Sequence, residues 1–368
     1  MPSRAGAVRL WDSGVAWRLI EPTKGSVRWS LLDAAVARAE RMGASEIIWV
    51  HGSPPRWAAK DPTAAGLYGP GTSSVPDTAA YLSILRRIAT RYKGRITAYE
   101  AWNEANIGIF YRGSGRSMAT LTAMARAVLR RADPDALLVG ASTTVRARGP
   151  VRSWYDQYAR ALAARDWPVD AMAVHLYPKA DEGPDVRAQY LRTMQGWLAA
   201  RGWTGALWDT EINYGDRRDF ATQRVAVPQS RAAAWVARTY IDSLALGVDR
   251  VFWYAWNDHS LGIDQVSAAS GATLPAGRAF LTVQRWLAGA RWRGCTGELV
   301  EPTGDRGAVT TCSVTLASGG PAELVFTHRG SARVEVPEGA SRACRLDGTC
   351  PRVGDRITVG ISPVLLRR

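Results

Sequence analysis

Two glutamates carry the strongest chemical signal in this 368-residue sequence. Glu104 ends the run Tyr99-Glu-Ala-Trp-Asn-Glu104, and Glu211 follows Leu207-Trp-Asp-Thr. Each sits at the end of a short apolar, β-type run. Paired carboxyls are what breaking a glycosidic bond requires: one protonates the departing oxygen, while the other attacks the anomeric carbon or activates water. The acid needs a raised pKa and the nucleophile must stay ionised, so their surroundings must differ. Around them the sequence offers supporting groups. Asn103 can hydrogen-bond a sugar 2-hydroxyl, and Arg9 can hold a carboxylate ionised and oriented. His175 and Tyr177 can fix the nucleophile from a neighbouring strand. His51, Trp102 and Trp256 are further candidates for substrate contact. The 16 tryptophans outnumber the 5 phenylalanines, and flat indoles suit the apolar faces of sugar rings. Asp12, Asn213 and Tyr214 are candidate subsite residues. Glu100 and Asp209 are set aside, because strand alternation turns them from the mouth or places them deeper.

These residues need a scaffold that brings strand ends together. Near-continuous apolar runs occur at 7–12, 46–51, 96–103, 137–143, 170–177, 206–212 and 250–257. Amphipathic helical stretches lie between them, for example at 30–42, 77–92, 117–132, 153–165, 186–201 and 229–246. Such alternation indicates a parallel sheet covered by helices on both faces. A βα unit repeated to about residue 290 favours a (β/α)8 TIM barrel over a doubly wound sheet. No Gly-x-Gly-x-x-Gly follows the first strand, so a dinucleotide fold loses support. In a barrel, catalytic groups gather at the C-terminal strand ends, where Glu104 and Glu211 fall on strands three apart. Seven strands are counted where a closed barrel has eight. The missing first strand is expected before residue 7, removed by a late start or a shortened chain; the rival expectation is a seven-stranded barrel. After residue 290 the helical pattern stops. Segments 308–317, 321–328, 331–336 and 355–366 have β character, so residues 291–368 are expected to form a small β-sandwich and residues 1–290 the barrel.

The charge of +14 suggests at first a nucleic-acid partner. Only four of the 47 basic residues are lysine, and the arginines are scattered without a basic run. This pattern reads as compositional bias, with no nucleic-acid partner expected; an acidic polysaccharide substrate would also suit it. No apolar run reaches the length of a membrane span. The four cysteines, Cys295, Cys312, Cys344 and Cys350, all lie in the last quarter. Asp347-Gly348 is a turn signal between Cys344 and Cys350, so Cys344–Cys350 with Cys295–Cys312 is the simplest disulfide pairing. The alternative is four reduced thiols. Zinc spacing is absent, and neither a metal nor an organic cofactor is expected. Disulfides point to a secreted or cell-envelope protein. No signal peptide precedes Ala7, an omission that the missing strand would share. A monomer is expected.

Several motifs together resemble the clan A glycoside hydrolases, in particular family 39 and its relatives. Trp102-Asn-Glu104 with Asn106 resembles their acid/base motif, and Leu207-Trp-Asp-Thr-Glu-Ile-Asn-Tyr-Gly215 resembles their nucleophile strand. Arg9-Leu-Trp-Asp-Ser-Gly14, Trp17-Arg-Leu-Ile-Glu-Pro22, Gly25 and Trp29 through Asp33 are similar to their second strand and helix. Pro54-Pro-Arg-Trp57 is similar to their third-strand loop. The resemblance runs over residues 7–260. It implies a retaining double displacement with Glu104 as acid/base and Glu211 as nucleophile, and a carbohydrate substrate. Ala105 stands where the motif has proline, a change expected to loosen that turn. The alternative from another class is a carbohydrate-binding pseudoenzyme of the same fold.

Overall fold

The computed structural model describes residues 6–144, 150–215, 225–297, 299 and 307–368. Seven parallel strands alternate with helices: β1 (Ala7–Leu10), β2 (Glu46–Val50), β3 (Ala98–Glu100), β4 (Leu137–Val139), β5 (Ala171–His175), β6 (Ala206–Ile212) and β7 (Arg250–Trp253). They follow chain order across one sheet. Between them run α1 (Trp17–Ile20), α2 (Trp29–Arg41), α3 (Thr78–Arg91), α4 (Gly115–Ala132), α5 (Pro150–Ala163), α6 (Pro184–Ala199) and α7 (Gln229–Ala245), with α8 (Pro275–Leu287) after β7. This is the (β/α)8 TIM-barrel class, with seven parallel strands among the described residues. Except for β6, which spans its whole run, the strands are shorter than the apolar runs suggested.

Local chemistry explains the elements. Ile47 to Val50 are all buried, as expected of a strand covered on both faces. In α3, Tyr81, Ile84, Leu85 and Ile88 form one apolar stripe, while Asp77 caps the helix by accepting from the Ala80 N–H. Ser114 caps α4 in the same way through the Ser117 N–H. Pro275 opens α8, where its missing N–H costs nothing.

By its internal contacts the chain divides into two compact units. Pro2–His175 and Met194–Glu211 form one; Leu176–Thr193 and Ile212–Arg368 form the other. In the first, β1 to β6 pair in parallel, and the β5–β6 register shifts between Val174 and His175 so that His175 stands opposite Glu211. Such irregularities re-aim side chains.

The second unit holds the C-terminal β region. Here β8 (Arg291–Thr296), β9 (Val309–Thr315), β10 (Pro321–Thr327), β12 (Arg342–Cys344) and β14 (Val364–Arg367) form an antiparallel sheet in the order β12-β14-β10-β9-β8. A second sheet pairs β11 (Ser331–Glu335) with β13 (Arg356–Gly360). Val325, Ala343, Val359 and Leu366 fill the space between the sheets, giving a small sandwich. The other face of the larger sheet, with Leu324, Phe326 and Leu365, packs on Ile241 of α7 and Val283 of α8. The sequence reading had a single strand over 355–366; the Ser362-Pro363 bend divides it, since proline cannot donate to a ladder. Both expected disulfides are present: Cys295–Cys312 joins directly opposed positions of β8 and β9, and Cys344–Cys350 brackets the Asp347-Gly348 turn.

Candidate active site

The site is built around Arg9. Its Nε donates to Glu100 Oε2 at 2.7 Å, and its Nη2 to Glu100 Oε1 and Asn103 Oδ1, both at 2.8 Å. Its Nη1 donates to Glu211 Oε1 at 2.6 Å. One guanidinium thus spans the ends of β1, β3 and β6, and its rigid fork orients two carboxylates at once. The Arg9 side chain is 6 % exposed and that of Glu100 is fully buried. Burial alone would weaken the arginine's hold on its proton, but the charges of Glu100 and Glu211 raise its pKa well above the ordinary value.

His175 joins the two glutamates predicted to act together. Its Nδ1 lies 3.1 Å from Glu104 Oε1 and 3.4 Å from Glu211 Oε2, and its Nε2 lies 3.1 Å from Thr210 Oγ1. Burial disfavours the imidazolium, but the charge of Glu211 and the hydrogen bond to Glu104 outweigh it, so the His175 pKa is raised. Burial pushes the Glu211 carboxyl above the usual range, against the opposing charges of His175 and Arg9, so the raised carboxyl is the expected nucleophile and not, as the sequence reading had it, the acid.

Glu104 sits on a strained backbone, with φ of +42°. A non-glycine residue in this region costs about 1–3 kcal/mol and persists only where its surroundings hold it. Here the Glu104 N–H donates to Ser142 Oγ at 3.0 Å, and the Ala105 N–H donates to the Ser142 carbonyl at 3.0 Å. Asn106 closes the same turn, donating to the Thr144 carbonyl at 2.9 Å and accepting from its N–H at 3.1 Å. Ala105 therefore does not leave the turn loose. It contributes a hydrogen bond that a proline could not donate.

Among the predicted residues, Arg9, Asn103, Glu104, His175 and Glu211 come together. His51 does not join them. It is buried, its ring stacked 3.7 Å from that of Tyr81 and flanked by Trp17 and Trp49, which corrects its expected place at the substrate. Burial in this aromatic box lowers its pKa well below the ordinary histidine value. Trp102 is likewise packing: it is fully buried, donates to the Phe110 carbonyl at 3.0 Å and lies against Tyr111. Its closeness explains Gly52, where an added Cβ would meet the indole at 3.1 Å. Tyr177 and Trp256 lie in the second unit. Tyr177 is buried; Trp256 is half-buried and edge-on to Phe280. Asn213, in the same unit, spends its amide on the Tyr254 and Ile263 carbonyls and the Tyr214 and Ile263 N–H groups, so it serves as a structural clamp. Tyr214 is buried with its hydroxyl on Thr239.

Glu100 and Thr210 were missed. Glu100 does sit deeper, as alternation implies, but arginine is long enough to reach it and Glu211 together. The available signal was the conjunction of an arginine on one strand with two acids at the end of another.

Glu104, His175 and Glu211 also offer ligand atoms within 4.8 Å of one another. Arg9, 2.6 Å from Glu211, already places a permanent positive charge there. It opposes a metal cation, and we assign no metal site.

No protein-family model matches the sequence, and no curated protein does. Solved structures do match in fold. A glucosidase from Croceicoccus marinus superposes with a TM-score of 0.67 at 14 % identity, covering 99 % of this chain and 90 % of its own. The catalytic domain of GH30 xylanase C from Talaromyces cellulolyticus gives 0.59 at 15 % identity, covering 98 % and 86 %. A GH10 protein from Paenibacillus barcinonensis gives 0.56 at 18 % identity, covering 75 % and 86 %. At such identities the likeness establishes the fold alone.

Proposed function

We propose that this protein is a retaining glycoside hydrolase acting by double displacement. The observation that carries the reading is the pair Glu104 and Glu211, with acceptor atoms within 4.8 Å of each other. Retaining enzymes hold their carboxyls about 5–5.5 Å apart, whereas inverting enzymes need about 6.5–9.5 Å to admit a water. The fold neighbours named glucosidase and xylanase support glycoside hydrolysis as the kind of reaction.

In the first step Glu104 gives its proton to the glycosidic oxygen. The bond from that oxygen to the anomeric carbon breaks, its electron pair staying on the oxygen. A Glu211 oxygen forms an ester to the anomeric carbon. In the second step Glu104 takes a proton from water, whose oxygen attacks the same carbon and displaces Glu211 as carboxylate. Arg9 orients Glu211 and stabilises it each time it leaves. His175, facing both carboxyls through Nδ1, links their charge states, so that proton transfer at Glu104 is felt at Glu211. Asn103, itself held by Arg9, is placed for the sugar 2-hydroxyl. Tyr177 and Trp256 are proposed substrate contacts. We take residues 1–290 as the catalytic barrel and 291–368 as its accessory β domain, in a secreted, monomeric protein related to family 39.

The test is NMR of the first sugar released from a panel of aryl glycosides and polysaccharides. Retention of anomeric configuration is expected, with both Glu104→Gln and Glu211→Gln inactive. Inversion, or full activity in either variant, overturns the assignment. Glycan binding without any cleavage would instead make the protein a binding module.

A further inference from the structure

Close after β1 lies an arginine that feels the charge of Asp12 but, among the described residues, pairs directly with no carboxylate. Arg18, in α1, is half-buried, and its backbone N–H donates to the Ser53 carbonyl at 3.1 Å. Its guanidinium lies 4.5 Å over the Tyr68 ring. Tyr68 is fixed in turn, its hydroxyl donating to Asp12 Oδ1 at 2.7 Å and its ring edge-on to Trp11. The Arg18 Nε is shut off from solvent and has no acceptor, and among the described residues no carboxylate forms an ion pair with this side chain. Several other arginines of this unit, Arg91, Arg95, Arg126 and Arg160, each pair with a carboxylate within 3.0 Å.

A second orphan donor lies on the residue whose carbonyl accepts from the Arg18 backbone N–H. Ser53 is buried, its Oγ has no partner, and its backbone is held at φ +53°. Strain and unsatisfied buried donors together mark places where structure is given up for binding. The location is also right. Asp12 follows Arg9 by three residues, just past the C-terminal end of β1. The charge of Glu211 is felt at Tyr68 and that of Asp12 at Glu211, so the group lies within electrostatic reach of the proposed nucleophile.

We infer that Arg18, with Ser53 beside it, forms a subsite for an anionic substituent of the glycan, the carboxylate of a uronic acid or a sulfate ester. The inference rests on the hydrolase reading and names its substrate class. A guanidinium stays charged at any working pH, and with no acceptor on Nε its desolvation is offset only in part, by the charge of Asp12. A carboxylate or sulfate oxygen offers the charge-assisted bond that Nε lacks. The cation–π contact to Tyr68 and the Tyr68–Asp12 bond hold the fork in place before the ligand arrives.

The test compares each polysaccharide with its neutralised form: alginate, pectate and glucuronoxylan beside their carboxyl-reduced counterparts, and fucoidan beside its desulfated form. Hydrolysis and affinity electrophoresis are both read, at 0.3 M salt to screen the general positive charge. At least one anionic form should be preferred about tenfold by wild type, the size of a charge-assisted hydrogen bond. The carboxylate and sulfate arms show which anion it is. Arg18→Gln should lose that preference, Arg18→Lys should keep part of it, and Arg130→Gln, an exposed arginine on α4, should keep all of it. If Arg18→Gln does not fold, the ratio in Arg18→Lys decides, since a lysine lacks the fork. Equal treatment of anionic and neutral forms by wild type, or a preference surviving in Arg18→Gln, overturns the subsite. Hydrolysis without preference would overturn the subsite and leave the hydrolase reading intact. Preferential binding without hydrolysis would do the reverse.

Discussion

Two buried arginines in this molecule have nearly the same surroundings and different consequences. Arg9 lies between Glu100 and Glu211, with His175 beside Glu211 and Thr210 on the far imidazole nitrogen. In the second unit Arg238 lies between Asp185 and Asp242, with His328 Nδ1 2.6 Å from Asp185 and its Nε2 3.1 Å from Thr310. Arg238 also lies 4.2 Å over the Phe326 ring. Each cluster holds a carboxyl that burial pushes up, Glu211 in one and Asp242 in the other, so a raised pKa does not by itself mark a catalytic group. What separates the clusters is the extra member. The first sets a further carboxyl, Glu104, on the same histidine nitrogen and on a strained backbone; among the described residues the second cluster shows no match for it. The second ties α6 and α7 to β9 and β10 and reads as a clamp. A buried ionic network acquires chemistry when two of its acids can exchange roles around one substrate atom.

That contrast can be broken at several points. The largest effect is expected on turnover: Glu211→Gln should lower hydrolysis about 10⁴-fold or more, while Asp242→Asn should leave turnover per folded molecule unchanged. If Asp242→Asn also abolishes hydrolysis, the division into site and clamp is wrong.

Removing the arginines comes next. Arg238→Met leaves Asp185 and Asp242 without their cation, and a loss of about 3–5 kcal/mol is expected in urea unfolding. Arg9→Met should cost a similar amount and remove activity as well.

One carboxyl from each cluster, Glu211 and Asp185, should titrate in opposite senses. Glu211 and His175 have raised folded pKa values, so their stabilising contribution is present at low pH and is lost as pH rises through those values. Asp185 has a lowered one: burial raises it, but the His328 hydrogen bond and the Arg238 charge prevail. Its contribution is present above the ordinary carboxylate range and is lost as pH falls through the folded value. Thermal unfolding against pH should therefore show Glu211→Gln gaining on wild type as pH rises above the ordinary carboxylate range, and Asp185→Asn losing ground by about 1–3 kcal/mol as pH rises from below into that range. Parallel curves would contradict the comparison.

The smallest effect tests Glu100. With its charge removed in Glu100→Gln, the Arg9 charge acts more fully on Glu211. The acid limb of kcat/KM should then move to lower pH, by up to about one unit. An unmoved limb with an unchanged maximum would make Glu100 a packing residue.

Much of this was legible in the residues. The alternation of apolar runs and amphipathic stretches anticipated the seven parallel strands, because strand and helix periodicities are local properties. The cysteine spacing anticipated both disulfides, because the Asp347-Gly348 turn is local too. The Trp-Asn-Glu and Asp-Thr-Glu runs pointed to two acids at strand ends. His51, Trp102 and Asn213 were misjudged for one reason: a polar or aromatic residue beyond a strand end has the same sequence signature whether it meets substrate or is packed against Tyr81, Phe110 or Ile263.

By itself, then, the sequence determined the order of the elements, the covalent cross-links and which acids stand at strand ends, since each depends on neighbours along the chain. Tertiary structure alone decided which cation holds those acids. Arg9 is 91 residues from Glu100 and 202 from Glu211, and no local pattern encodes that meeting. It also decided that the Arg18 Nε meets no acceptor among the described residues, because the absence of a neighbour is a property of the folded surroundings and not of the chain.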